Sequence, residues 1–392
     1  MECLEKPIWN KYTKEELEQI SIPKPMEEVR KQVLHNWDAI AKPIDGLGSF
    51  ETLTAQIGAI TGEEKINISK KAVLILCADN GIVEENVSQS GQEVTAAVAR
   101  SIAGRHSSVC QMAEVAGADI IPVDIGIQNR EEISGVQNKK IRCGTRNFLK
   151  EPAMTQEETV RAMAVGMELV RTLKEEGYRI LATGEMGIGN TTTSSAVVSV
   201  LLDESVENVT GRGAGHTTTS SAMAAALLKC EVPLVTGKGA GLSEKGLLHK
   251  QEVIGQAIRK YDLYEKDAFT ILETVGGLDI AGLVGVCIGG AIYRIPIVLD
   301  GVISLVAALT AEKIAPGTKE YLLTSHQGKE PAAKFLLKAL EKEAVLNAHM
   351  ALGEGTGAVM MFPLLDMVLR VYHAETTFFV IQVEQYQRFD KL

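Results

Sequence analysis

Apolar residues recur every three to four positions between residues 14 and 40 (Leu17, Ile20, then Val29, Val33, Leu34, Trp37 and Ile40). That spacing predicts helices with one buried face, and Pro23 and Pro25 divide the stretch into two. Elsewhere the pattern changes to short, continuous apolar runs at 72–78, 119–124, 178–182 and 295–299. Such runs read as strands buried on both faces of a parallel sheet. Helical spacing returns between and after them, over 51–61, 93–103, 107–117, 155–176, 194–202, 252–260, 268–274, 280–293, 304–314 and 332–346. A last helix opens after the glycines at 353–357 and runs to about residue 373. Strands alternating with helices predict an α/β fold. Polar clusters close the strands, notably Asp79-Asn80-Gly81 and Asp300-Gly301. The carboxyl ends of strands are where open α/β sheets hold ligands.

One stretch stands out from this alternation. Residues 183–198 read T-G-E-M-G-I-G-N-T-T-T-S-S-A-V-V, between the 178–182 strand and the 194–202 helix. A glycine-rich turn from strand to helix presents free backbone N–H groups, backed by the helix dipole, to an anion. Gly184, Gly187 and Gly189 allow close backbone approach, and Asn190 and Thr191 to Thr193 offer caps and hydroxyls. Glu185 does not fit a phosphate loop, because a carboxylate repels phosphate; it suits a cation or a hydroxyl. A flexible turn ahead of an ordinary helix is the alternative.

The same stretch begins an internal repeat. G-N-T-T-T-S-S-A…V-T-G-R-G-A-G is followed at once by G-H-T-T-T-S-S-A…V-T-G-K-G-A-G, the copies opening at Gly189 and Gly215, a period of 26 residues. Two copies do not make a solenoid, which needs three or more. A local tandem duplication is the simpler account, and only the first copy follows Gly184-Glu185-Met186-Gly187.

Composition narrows the class. The 392 residues are 45% hydrophobic and 23% charged, with a net charge of −10. This fits a globular enzyme of small molecules and argues against a nucleic-acid surface. The six cysteines are scattered, with no C-x-x-C and no histidine at ligand spacing, which points to a reducing compartment, the cytoplasm, without disulfides or structural zinc. The N-terminus lacks the basic and apolar regions of a signal peptide. The apolar run 280–292 is glycine-rich and too short to span a membrane.

Two glutamates carry the candidate chemistry. Glu185 and Glu354 both sit among glycines, which leaves a carboxylate able to reach into a pocket. Partial burial raises such a pKa toward that of a general base; an exposed loop glutamate is the alternative for each. The loop 142–147 (R-C-G-T-R-N) is either an anion contact or a solvated turn. No Ser-His-Asp order, kinase signature or G-x-x-x-x-G-K-[ST] loop occurs, and the glycines at 184, 187 and 189 do not match G-x-G-x-x-G. A phosphate contact without a nucleoside triphosphate is favoured.

Taken together, a set of stretches resembles the nicotinate-nucleotide–dimethylbenzimidazole phosphoribosyltransferase family. They are K-P-I-D-G-L-G-S-F-E (42–51), A-D-N-G-I (78–82), Q-E-V-T (92–95), D-I-G-I (124–127), G-T-R-N-F (144–148), G-E-M-G-I-G-N-T-T (184–192), V-G-G-L-D-I-A-G (275–282), L-D-G (299–301), S-H (325–326) and L-G-E-G-T-G-A (352–358). The T-G-R-G-A-G and T-G-K-G-A-G loops belong with them.

The resemblance implies a Rossmann-like parallel sheet flanked by helices, with a smaller helical domain from the two chain ends. Residues 1–60 and 331–392 would form the small domain, and 61–330 the large one, with the duplication at about 189–241. It implies a homodimer that uses no cofactor and no metal. The implied reaction joins nicotinate mononucleotide to a benzimidazole-type base in the assembly of the cobalamin nucleotide loop. The base nitrogen attacks ribose C1′, nicotinate leaves, and an α-riboside 5′-phosphate results. A weakly active or regulatory subunit of the same fold is the alternative; an unrelated sugar-phosphate enzyme is disfavoured by the missing lysine motif. By the family's pattern Glu354 is the base for the azole N–H, and Glu185 lies on the ribose side. Substrate contacts would come from Gly184, Gly187, Gly189, Asn190, Thr191, Gly237, Gly239, Lys250, Asp300, Ser325, Leu352 and Gly353, with Lys250 as the phosphate's countercharge. Asp79, Ser88, Ser90, Gln92 and Val98 would line the base pocket. That pocket departs from the pattern: residues 88–91 read S-Q-S-G where relatives often carry proline, and Val98 stands where some have glutamine.

Overall fold

Alternate residues of strand β1 (Lys71–Ala78) point into two separate cores. Ala72, Leu74, Leu76 and Ala78 enter one, and Val73, Ile75 and Cys77 the other. This period-two division is why the run is apolar throughout. The computed structural model describes residues 12–212, 242–374 and 376–388. In it β1 pairs in parallel with β2 (Ala118–Gly126) on one side and β4 (Ile180–Met186) on the other. The short strands β3 (Gln137–Asn138), β5 (Ile297–Leu299) and β6 (Leu322–Thr324) complete a parallel sheet in the order β3-β2-β1-β4-β5-β6. That is the doubly wound order, whose switch point falls between β1 and β4.

Helices cover both faces. One core takes in helices Gln156–Glu175, Asn190–Leu201, Leu278–Tyr293 and Val302–Ile314. The other takes in Glu27–Ala39, Ser49–Thr61, Glu93–Ala103, Ser108–Ala116 and Thr356–Tyr372, so helices from both chain ends share one face of the sheet. The small-residue helix Leu278–Tyr293 lies directly on Gln156–Glu175: a Cβ on Gly285 would fall 1.9 Å from the Met163 carbonyl oxygen. Only glycine permits that approach.

Two expectations shift. β4 runs on through Thr183-Gly184-Glu185-Met186, and the next helix begins at Asn190 rather than at 194. The supposed loop is therefore three residues long, Gly187 to Gly189. Gly184 stays in the strand because it faces another backbone, as described below. No helix among the described residues is long and apolar enough to cross a membrane.

Candidate active site

The carboxyl ends of β4, β5 and β6 surround a cavity of about 340 Å³. Glu185 and Glu354 stand on its walls. Glu185 is mounted on a paired strand, its backbone in register with Leu76 of β1. Glu354 sits in a turn whose three residues all have positive φ: Gly353 (84°), Glu354 (58°) and Gly355 (89°). The left-handed region is costly for a glutamate. Asp300 holds the turn in place. Its Oδ2 accepts from Gly355 N at 3.0 Å, and its Oδ1 accepts from Gly357 N and Ala358 N at 2.8 and 3.1 Å. The Asp300 carboxylate thus caps helix Thr356–Tyr372, occupying the anion position its N-terminus offers. Asp300 is itself fixed by β4, because its backbone N–H donates to Thr183 Oγ1. The strand and the turn touch: a Cβ on Gly184 would lie 2.7 Å from the Glu354 carbonyl oxygen. The glycine in the strand therefore brings the two glutamates together.

The electrostatics follow from this crowding. Burial, then Asp279 and Asp300, push Glu185 up to about 8. Burial, then Asp300, raises Glu354 above the usual carboxylate range. Asn190 donates through Nδ2 to both Glu185 Oε2 and Asp279 Oδ2. Lys250 is almost wholly buried; its Nζ donates to Thr191 Oγ1 at 3.0 Å and to the Gly211 carbonyl at 3.1 Å, and burial lowers it to about 8.

Of the residues read from the sequence, Glu185, Gly187, Gly189, Asn190, Thr191, Asp300, Leu352, Gly353, Glu354, Ser88 and Ser90 line the cavity. Lys250 lies behind Thr191, and Gly184 behind Glu354. Ser325 is buried and donates to the Leu299 carbonyl at 2.6 Å. Asp79 is fully buried and accepts from Gln128 N. Gln92 Nε2 donates to the Asn80 carbonyl at 3.2 Å, and Val98 packs on the helical core. None of these last four reaches the cavity wall. The Q-E-V-T stretch instead ties the ends of β1 and β4, since Thr95 Oγ1 accepts from Ile188 N. Gly237 and Gly239 lie outside the described residues. The loop's N–H groups are less free than expected: Ile188 N goes to Thr95 and Asn190 N to the Gly187 carbonyl. The 142–147 loop is structural, with Arg142 and Arg146 paired to Glu158.

Sequence reasoning missed Arg212, His326 and Lys329, which also line the cavity. The Ser325 hydroxyl has one hydrogen, directed at Leu299 O, so its oxygen accepts from His326 Nδ1 at 3.0 Å. The conspicuous S-H pair was the available signal.

A doubly wound parallel sheet with paired glutamates at its strand ends and a buried lysine beside them defines an α/β enzyme for small molecules. The phosphoribosyltransferase family model matches residues 22–217 and 213–382. The chain is 41% identical over 364 residues to the nicotinate-nucleotide–dimethylbenzimidazole phosphoribosyltransferase of Clostridium acetobutylicum, covering 93% of this chain and 95% of that one. It is 39% identical to the enzyme of the same name from Acetivibrio thermocellus, with the same coverage. The crystal structure of CobT from Thermus thermophilus superposes with a TM-score of 0.80 at 32% identity, over 92% of this chain and 100% of that one. The chain belongs to the nicotinate-nucleotide–dimethylbenzimidazole phosphoribosyltransferase family.

Proposed function

We propose that the protein transfers phosphoribose from nicotinate mononucleotide to a lower-ligand base such as 5,6-dimethylbenzimidazole, releasing nicotinate and an α-riboside 5′-phosphate for cobalamin nucleotide-loop assembly. The observation that carries this is the pairing of Glu185 and Glu354 across one cavity, forced by the contact of Gly184 with the Glu354 backbone. The pyridinium leaving group departs neutral at its ring nitrogen, so it needs no acid. The azole must lose its N–H proton, and Glu354, with a raised pKa, is the base for it. Holding both reactants in line supplies much of the remainder, roughly 7–11 kcal/mol in favourable cases. Glu185 faces the ribose. The phosphate lies toward Lys250, Arg212 and Lys329, and a dianion there restores the charge that burial disfavours on Lys250. Ser88 and Ser90 border the base.

The enzyme acts as a homodimer. Supporting this, Met360, Met367 and Val371 are exposed along one face of helix Thr356–Tyr372, at i, i+7 and i+11.

Purified protein given nicotinate mononucleotide and dimethylbenzimidazole is expected to release nicotinate. Glu354→Gln should lower kcat by about 10²–10⁴-fold, leaving KM for the nucleotide within a few-fold. No release with any azole or phenol would leave only a binding role for the fold, and undiminished release by the variant would remove Glu354 as the base.

A further inference from the structure

The reaction as described leaves Asp279 without a task, yet Asp279 is fully buried against the site. It lies in the first turn of helix Leu278–Tyr293. Its Oδ1 has no hydrogen-bond partner, and its Oδ2 accepts from Asn190 Nδ2 at 3.2 Å. The same amide nitrogen donates to Glu185 Oε2. Asn190 has two amide hydrogens, one for each carboxylate. Asp279 is wholly buried, and Glu185, on the cavity wall, is joined to it by that one amide, so the like charge of the cluster disfavours ionising both carboxylates.

The surroundings decide where that proton sits. Glu185 faces Asp300 from the end of β5, Glu354 from the turn before helix Thr356–Tyr372, and Asp279 itself. Asp279 faces Asp79 from the end of β1. Cys77 is a thiol held neutral by burial, then by Asp124, Glu185, Asp279 and Glu354. Among the described residues no lysine or arginine forms an ion pair with either Glu185 or Asp279. Asp279 has the helix N-terminus to stabilise a charge, whereas the charged groups acting on Glu185 are all acids and its donor among the described residues is the shared Asn190 amide. Glu185 Oε2 already accepts from Asn190, so the proton belongs on Oε1.

We propose that Asp279 is a positioning residue: through Asn190 its charge keeps Glu185 a neutral acid, which presents an O–H donor to an acceptor oxygen of the sugar phosphate. A neutral acid adds no repulsion toward a substrate that carries a phosphate and a carboxylate, whereas an ionised one would. The inference rests on the phosphoribosyl reading of the cavity for its substrate, and on the Asn190 bridge and the surrounding acids for its proton.

The test has two arms. With the wild-type enzyme, kcat/KM for nicotinate mononucleotide should fall as pH rises through about 8, where Glu185 ionises and Lys250 loses its proton, and the Asp279 variant separates the two. Asp279→Asn removes the neighbouring charge, makes Glu185 more acidic, and should move that alkaline limb down by about one pH unit. A limb that stays in place while activity drops equally at every pH would mean a merely structural Asp279 and would overturn the proposal. The second arm needs neither turnover nor a folded Asp279 variant. The infrared difference spectrum of wild type against Glu185→Gln at neutral pH should contain a protonated-carboxyl stretch. Its absence overturns the proposal, even if the wild type releases no nicotinate and the phosphoribosyl reading itself fails.

Discussion

At the scale of single residues, the site depends on atoms that are missing. Gly184 has no side chain, and for that reason the Glu354 carbonyl lies against β4. Gly184→Ala would insert a Cβ 2.7 Å from that oxygen and push the 353–355 turn away from Glu185. A displacement of about 1 Å at a reacting group can lower turnover about 10²-fold. We expect Gly184→Ala to lose turnover on that order while its urea unfolding midpoint falls only modestly. Steady-state kinetics and a denaturation curve check this; unaltered kcat would mean that the contact does not position Glu354. Asp300 illustrates a different lesson. The resemblance implies a substrate contact there, whereas its oxygens are taken up by the backbone N–H groups of Gly355, Gly357 and Ala358. No sequence pattern separates a carboxylate that meets substrate from one that caps the helix bearing the base.

At the scale of elements, most helices and strands fall where apolar spacing puts them, because each buries a stripe or a pair of faces. The differences sit at element ends: the 332–346 helix stops at Ala339, the 252–260 helix starts at Glu244, and β4 runs on toward its helix. Glycine and threonine favour loops in isolation, and pairing with β1 and packing on the core override that preference here. The duplication is the element that the sequence shows most plainly. Its first copy supplies helix Asn190–Leu201, and Asn190, replaced by His216 in the second copy, makes the bonds to Glu185 and Asp279. Arg212 and Leu242 flank the intervening residues, and Leu242 N donates to the Arg212 carbonyl at 3.3 Å. Excising residues 213–238 joins Arg212 to Gly239 and restores a single T-G-R-G-A-G-L sequence. The shortened protein is expected to fold and to keep kcat/KM within a few-fold, with Gly211 beside Lys250 as now. A collapse of activity in a folded, shortened protein would assign the excised residues, Gly237 among them, a direct part in catalysis.

At the scale of the whole molecule, the exposed apolar face of helix Thr356–Tyr372 gives the proposed dimer its test. Met367→Lys, at a position 59% exposed, should leave the monomer's fold intact and shift sedimentation toward the monomer. A protein that sediments as a monomer before substitution would end the homodimer reading. The sequence by itself determined the parallel α/β class, the places of four of the six strands and the two glutamates, because burial periodicity and glycine-framed carboxylates are local signals. It did not determine which side chains meet. Asp79, Gln92, Val98 and Ser325 belong to site-bearing stretches and yet point into backbone or core, while His326, Arg212 and Lys329 reach the cavity. Strand order sets that outcome: β4, β5 and β6 come together only after crossovers of about a hundred residues and of about twenty. The tertiary structure also brought Asp279, 94 positions away in sequence, to Glu185 through a single amide.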